Sequence, residues 1–140
     1  LLKVLQKLAL IDDQNKIVDS IAKLIENKGN EYRVDKSLPY KLAVVLAGTI
    51  PVIYGVSGVT TTLAVRLKGE FNENSKLHAF CNFLPEMNHN EIIGWETFDE
   101  AQLRAKAIFF KDKSYHPQIS KRIEISKGLI QNAGAEIIEL

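Results

Sequence analysis

The chain has 140 residues, room for one domain that buries roughly 70% of the surface its unfolded form exposes. Its side chains are 46% hydrophobic and 25% charged, an ordinary globular composition, and eighteen basic against seventeen acidic groups leave a net charge of +1, so no electrostatic footprint points to nucleic acid or an anionic membrane. No apolar run reaches the roughly 20 residues of a membrane span, and the single cysteine, Cys81, excludes a disulfide within the chain.

The opening "LLKVLQKLALI" is apolar at helical spacing up to about Ile11, with Lys3 and Lys7 inside the pattern, unlike a signal-peptide core. Asp12 or Asp13 then caps a second helix with Ile17, Ile21, Leu24 and Ile25 on one face and a stop at Gly29. Ser37-Leu38-Pro39 opens a third, carrying Leu42, Val45 and Leu46 and ending at Gly48. The pattern then changes. "TIPVIYG" (49–55) reads as a strand buried on both faces. A hydroxyl-rich loop leads into a helix with Leu63, Leu67 and Phe71 at i, i+4 spacing. Strands follow at 78–84, 105–111 and 135–140, separated by a short helix at about 89–95 and a longer one at about 117–131. The long one places Ile119, Ile123, Ile125 and Leu129 on its apolar side, with Gly134 at its end. Strand and helix in alternation imply an α/β fold, a parallel sheet of four or five strands flanked by helices behind a helical N-terminal segment. Residues 1–36 read as a helical linker and 37–140 as the sheet domain, the whole a piece of something longer that is cut at both ends. Ligands of such sheets bind beyond the carboxyl ends of the strands, which here are Gly55–Thr62, Pro85–Asn90 and Asp112–Pro117.

Several residues there could carry chemistry, each with a plainer alternative. "GVSGVTTT" offers free N–H groups and hydroxyls to an anion at a helix N-terminus, or Thr60–Thr62 only cap that helix. It is neither a Walker loop nor G-x-G-x-x-G. Cys81, inside "HAFCNF", reads as a buried, reduced thiol of a cytosolic protein rather than a nucleophile. On a helical wheel, Asn74 joins Leu63, Leu67 and Phe71 on the buried side, and Arg66, Glu70 and Glu73 share the neighbouring edge. Gly69, mid-helix, costs about 1 kcal/mol relative to Ala and would let another backbone come close. Glu73 is then either a solvated surface carboxylate or a functional one. Asn88 with Glu91 resembles an N-cap and its reciprocal partner, which sets His89 at the first helical position. An imidazole there can both give and take a proton. His78 begins a strand and His116 precedes Pro117; no two histidines have metal-ligand spacing, so neither a metal nor a cofactor is expected.

The segments "EFNENSK" and "LPEMNHNEIIGW" carry a family resemblance. The pattern A-x-R-x-K-x-E-F-N-E-N is matched at Ala64, Arg66, Lys68, Glu70, Phe71, Asn72, Glu73 and Asn74, and L-P-E-x-x-H-N at Leu84, Pro85, Glu86, His89 and Asn90. Over most of residues 30–140 the chain resembles the second sugar-isomerase (SIS) domain of the archaeal-type bifunctional phosphoglucose/phosphomannose isomerases, in the phosphoglucose isomerase superfamily. The resemblance implies isomerisation of glucose 6-phosphate and mannose 6-phosphate to fructose 6-phosphate through a cis-enediolate. By it Glu73 is the base that moves a proton between C1 and C2, and His89 opens the sugar ring, reaching the site of the neighbouring subunit of a homodimer. Ser57, Arg66, Asn74 and Asn90 are the candidate substrate contacts. The asparagines can bond sugar hydroxyls without adding charge. The family's phosphate loop and further site residues lie outside this chain, so the 140 residues alone are expected to be inactive. The alternatives are a SIS module that binds sugar phosphates without turning them over, and a generic nucleotide-binding α/β domain, which the missing glycine fingerprint disfavours.

Overall fold

A computed structural model describes all residues 1–140. They divide into two compact units, Leu1–Val45 and Leu46–Leu140. In the first, α1 (Leu2–Lys7) stops short of the expected Ile11 because Ala9 takes a left-handed backbone, φ 55°. Gln14, not an aspartate, is the cap position of α2 (Asn15–Tyr32); Asp13 Oδ1 accepts the Asn15 N–H (2.9 Å) and Gln6 Nε2 (2.9 Å) just outside it. Gly29 does not stop α2. The helix continues one turn beyond it, with Lys28 paired to Glu31 (2.6 Å) and lying over the Tyr32 ring. The stripe Ile17, Ile21, Leu24 and Ile25 is exposed. The third helix, α3 (Leu38–Leu46), ends where Gly48 turns to φ +75°; Leu46 is the first residue of the second unit and part of that unit's own core.

That core is built on four strands, β1 (Ile50–Val56), β2 (Phe80–Leu84), β3 (Ala105–Phe109) and β4 (Glu136–Glu139), all parallel in the order β2-β1-β3-β4. Ile53 stands opposite both Cys81 and Ile108, which makes β1 a central strand. Side chains alternate between faces. Ile53 and Ile108 pack with Ala64 and Ala79, joined by Leu67 and Phe71, on the side covered by α4 (Thr61–Glu73). Tyr54, Val56, Ala107 and Phe109 face the other way. They pack against Met87 of α5 (Met87–Asn90), Trp95 of a 3-10 helix (Ile92–Thr97), and Ile123 and Ile130 of α6 (Pro117–Asn132). The expected helix at 89–95 is therefore two short pieces. Gly55 lets α4 start against the sheet: a Cβ there would sit 2.9 Å from the Thr60 carbonyl oxygen and 3.2 Å from Ala64 Cβ. No helix is long and apolar enough to cross a membrane.

Two expected faces turn out differently. On α4 the covered residues are Ala64, Leu67 and Phe71, while Leu63 is 53% exposed. On α6 they are Ile123, Ser126, Lys127 and Ile130, with Ile119 packed beside them, and Ile125 and Leu129 point outward.

Candidate active site

The loop after β1 spends its polar groups on the fold. Buried Thr60 Oγ1 accepts the Val56 N–H (2.8 Å) and meets the Tyr115 hydroxyl (2.7 Å). Thr61 Oγ1 donates to the Val56 carbonyl (3.2 Å), and no hydroxyl caps α4. The Thr60 and Thr61 hydroxyls are thus turned to the fold, and the simple side-chain cap expected of them does not form. Ser57 is exposed, its N–H donating to Leu84 O (3.0 Å). A hollow of about 360 Å³ opens beside the neighbouring loop, lined by Lys111, Asp112, Lys113, Tyr115, Ser120, Ile123 and Glu124.

From that edge α4 runs back across the sheet. Arg66 pairs with Glu70 one turn on, both on the expected edge. Glu73 is the last helical residue; its carboxylate is exposed and joins no ion pair, while its backbone carbonyl accepts Lys76 Nζ (2.5 Å). Asn74 is exposed rather than buried, and its amide donates to the Glu70 carboxylate, its chemical partner within reach at i−4. The inward asparagine is Asn72, whose Oδ1 accepts the Ala79 N–H (2.9 Å) ahead of β2. Asn72 also lines a hollow of about 330 Å³ with Lys76, Leu77 and His78.

Beyond β2 the chain returns to the carboxyl edge. The capping box expected of Asn88 and Glu91 does not form. The cap position is Glu86, with no side-chain cap bond, and His89 lies inside a four-residue helix. Asn88 and Glu91 turn away from the helix end: Asn88 Nδ2 donates to Ser126 Oγ (2.7 Å) while its Oδ1, the capping atom, is buried without a partner, and the Glu91 carboxylate accepts from Tyr54 Oη (2.5 Å) and Asn82 Nδ2 (2.6 Å). His89 is the more exposed for it, its side chain 83% accessible and its Nδ1 3.7 Å from Glu86 Oε1. Asn90 Nδ2 donates to the same oxygen (2.7 Å). His116 caps α6, accepting the Gln118 N–H at Nδ1 (3.2 Å).

The expected residues thus fall in two places. Ser57, His89 and Asn90 share the carboxyl edge of the sheet. Glu73 and Asn74 stand at the far end of α4, whose thirteen residues put them about 20 Å from its start. Arg66 lies between. Glu73 and His89 are not brought together within the chain. Asn72 and Glu86 stood in the two sequence motifs without an assigned partner, and the partners of Glu91 were passed over. Tyr54 and Glu91 stand 37 positions apart, with no periodicity linking them. No group of three or more His, Cys, Asp or Glu side chains is assembled. Cys81 is a half-buried free thiol, pushed up by burial.

Residues 35–140 match the family described as bacterial phospho-glucose isomerase C-terminal SIS domain. The chain is 33% identical over 135 residues to the bifunctional phosphoglucose/phosphomannose isomerase of Caldicellulosiruptor bescii, covering 94% of this chain and 40% of that protein. It is 34% identical over 141 residues to the protein of the same name from Aquifex aeolicus, covering 99% and 41%. A shorter match, 33% over 69 residues, reaches a D-glucosamine-6-phosphate 4-epimerase of Sulfolobus acidocaldarius and covers 49% of this chain and 22% of that protein. The chain spans about two fifths of the length of the two isomerases.

Proposed function

The chain belongs to the bacterial phospho-glucose isomerase C-terminal SIS domain family, and on that premise we propose that it is the second domain of a longer aldose–ketose isomerase acting on glucose 6-phosphate and mannose 6-phosphate. Glu73 takes the proton from C2 of the open-chain aldose, leaving a cis-enediolate, and returns it to C1 to give fructose 6-phosphate. One positioned carboxylate serves both halves of that transfer. His89 opens the ring, giving a proton to the ring oxygen as the C1 hydroxyl loses its own. Asn74 and Asn90 are neutral partners for sugar hydroxyls, and Ser57 and Arg66 are the further substrate contacts. The phosphate is held by residues outside these 140, so the domain alone does not turn over.

The observation that carries this reading is the separation of two exposed groups. A carboxylate at one end of α4 and an imidazole beyond the opposite edge cannot meet in one chain, yet each points into open space with no ion pair for Glu73 and a distant one for His89. Two copies related by a two-fold axis can bring the His89 segment of one to the Glu73 end of the other. In the full-length protein, Glu73→Gln should leave sugar-phosphate binding within about twofold while lowering turnover by about 10²–10⁴. Exchange of the C2 proton with solvent at the parental rate in that variant would remove Glu73 as the base. The match to an epimerase supports a second reading, sugar-phosphate chemistry at C4. Deuterium oxide separates the two: label entering glucose 6-phosphate at C2 fits isomerisation, label or inversion at C4 the epimerase.

A further inference from the structure

Two residues on from the exposed His89, Glu91 joins a chain of polar groups that the proposed chemistry does not use. Trp95 Nε1 donates to Tyr54 Oη (2.8 Å), and Tyr54 Oη donates to Glu91 Oε1 (2.5 Å). Asn82 Nδ2 donates to Glu91 Oε2 (2.6 Å), its own Oδ1 being taken by the Phe83 N–H (2.8 Å). Tyr54 and Trp95 are 1% and 7% exposed. Both oxygens of Glu91 are therefore met by neutral donors, one from β1 and one from β2. On the other flank of His89, Asn88 reaches Ser126 of α6 (2.7 Å), whose hydroxyl in turn donates to Arg122 O (2.9 Å).

A helix of four residues followed by a 3-10 turn does not hold its own shape. The His89 and Asn90 side chains are exposed, so packing does not aim them either. Met87 and Trp95 anchor the two ends of the segment by burial, and between them Glu91 is the polar anchor. A half-buried carboxylate under two short bonds costs desolvation and in return fixes a direction. We propose that Glu91, held by Tyr54 and Asn82, is a positioning residue that fixes the direction in which His89 meets the substrate. This rests on the reading of His89 as the ring-opening group.

The test uses the full-length protein and two aldose phosphates. Glucose 6-phosphate must be opened, whereas erythrose 4-phosphate has no free hydroxyl with which to close a ring, so it bypasses His89. Tyr54→Phe deletes one hydroxyl and keeps the ring. It should lower kcat on glucose 6-phosphate by about 10- to 100-fold, the cost of a misplacement near 1 Å, with KM within about twofold. C2 proton exchange of erythrose 4-phosphate should be nearly unchanged. Glu91→Gln, which keeps the shape but turns one acceptor into a donor, should behave alike and carries the comparison if Tyr54→Phe does not fold. Tyr54→Phe added to His89→Ala should cost nothing further, because the two act through one group. Equal losses on both substrates, no loss on either, or additive losses in the double variant would overturn the positioning role. If instead His89→Ala itself leaves the ratio of the two activities unchanged, the ring-opening reading fails and the inference falls with it.

Discussion

Tyr54 ties the centre of the sheet to the segment that carries His89, and its phenol is the most displaced titrating group in the fold. Burial raises it well above the usual tyrosine range, and the bond to the Glu91 carboxylate raises it further. The folded state thus holds this proton more tightly than the unfolded one. The stability it contributes is fully present below about pH 10, where a free tyrosine titrates, and is lost as pH rises beyond that toward the folded value. The urea midpoint should fall between pH 9 and pH 11, and less steeply in Tyr54→Phe than in the parent. Tyr115, also raised by burial, keeps a smaller slope in the variant. Identical slopes in the two proteins would mean that Tyr54 ionises without cost, and that the bond to Glu91 does not constrain it. Single residues also mark where sequence reasoning reached. The asparagine-flanked Glu73 and the His89 block stood out as candidates because unusual residue types cluster there. Glu91 did not, since its partners are distant in sequence and only the folded sheet places Tyr54 and Asn82 beneath it.

Among the elements, α4 and α6 are where hydrophobic pattern and structure part company. The pattern of α6 excluded charged residues from its inner face, yet Lys127 is buried there. Burial pulls its ammonium down, but bonds to Glu139 and Glu124 prevail and hold it raised. Ser126 is covered likewise, its hydroxyl satisfied by Arg122 O and the Asn88 amide. A buried polar group with its partners in place costs little, so the inner face moved and left Ile125 and Leu129 outside. On α4, Gly69 was expected to admit another backbone, but within this chain nothing lies within 4 Å of where its Cβ would be. In the 140-residue chain Gly69→Ala should therefore raise the unfolding free energy by about 0.5–1 kcal/mol, the propensity difference in a helix interior. Urea titration reads it directly. A loss of stability instead would mean that the open space around α4 is filled. The strands were the most legible elements, because apolar runs bounded by turn residues have few alternatives in a parallel sheet. Boundaries at Ile11 and Gly29 were misjudged for local reasons, a left-handed Ala9 and a last turn held by Lys28, Glu31 and Tyr32.

At the scale of the molecule, the parallel order β2-β1-β3-β4 sends α4 away from the carboxyl edge and returns the chain there for α5. That path, rather than any single contact, keeps Glu73 and His89 apart. The alternation of elements was readable from the sequence, but the separation it imposes was not, because it depends on how far α4 runs before the turn at Asn74. In the proposed dimer the two groups complete each other between subunits. Full-length chains carrying Glu73→Gln and His89→Ala, each strongly impaired alone, should be unfolded together, refolded and assayed with fructose 6-phosphate. Random pairing makes about half of the dimers mixed, and a mixed dimer has one intact site of two, so about one quarter of the parental activity should return. Dimers demonstrated to be mixed that remain inactive would contradict the account and require both residues to serve one subunit's site.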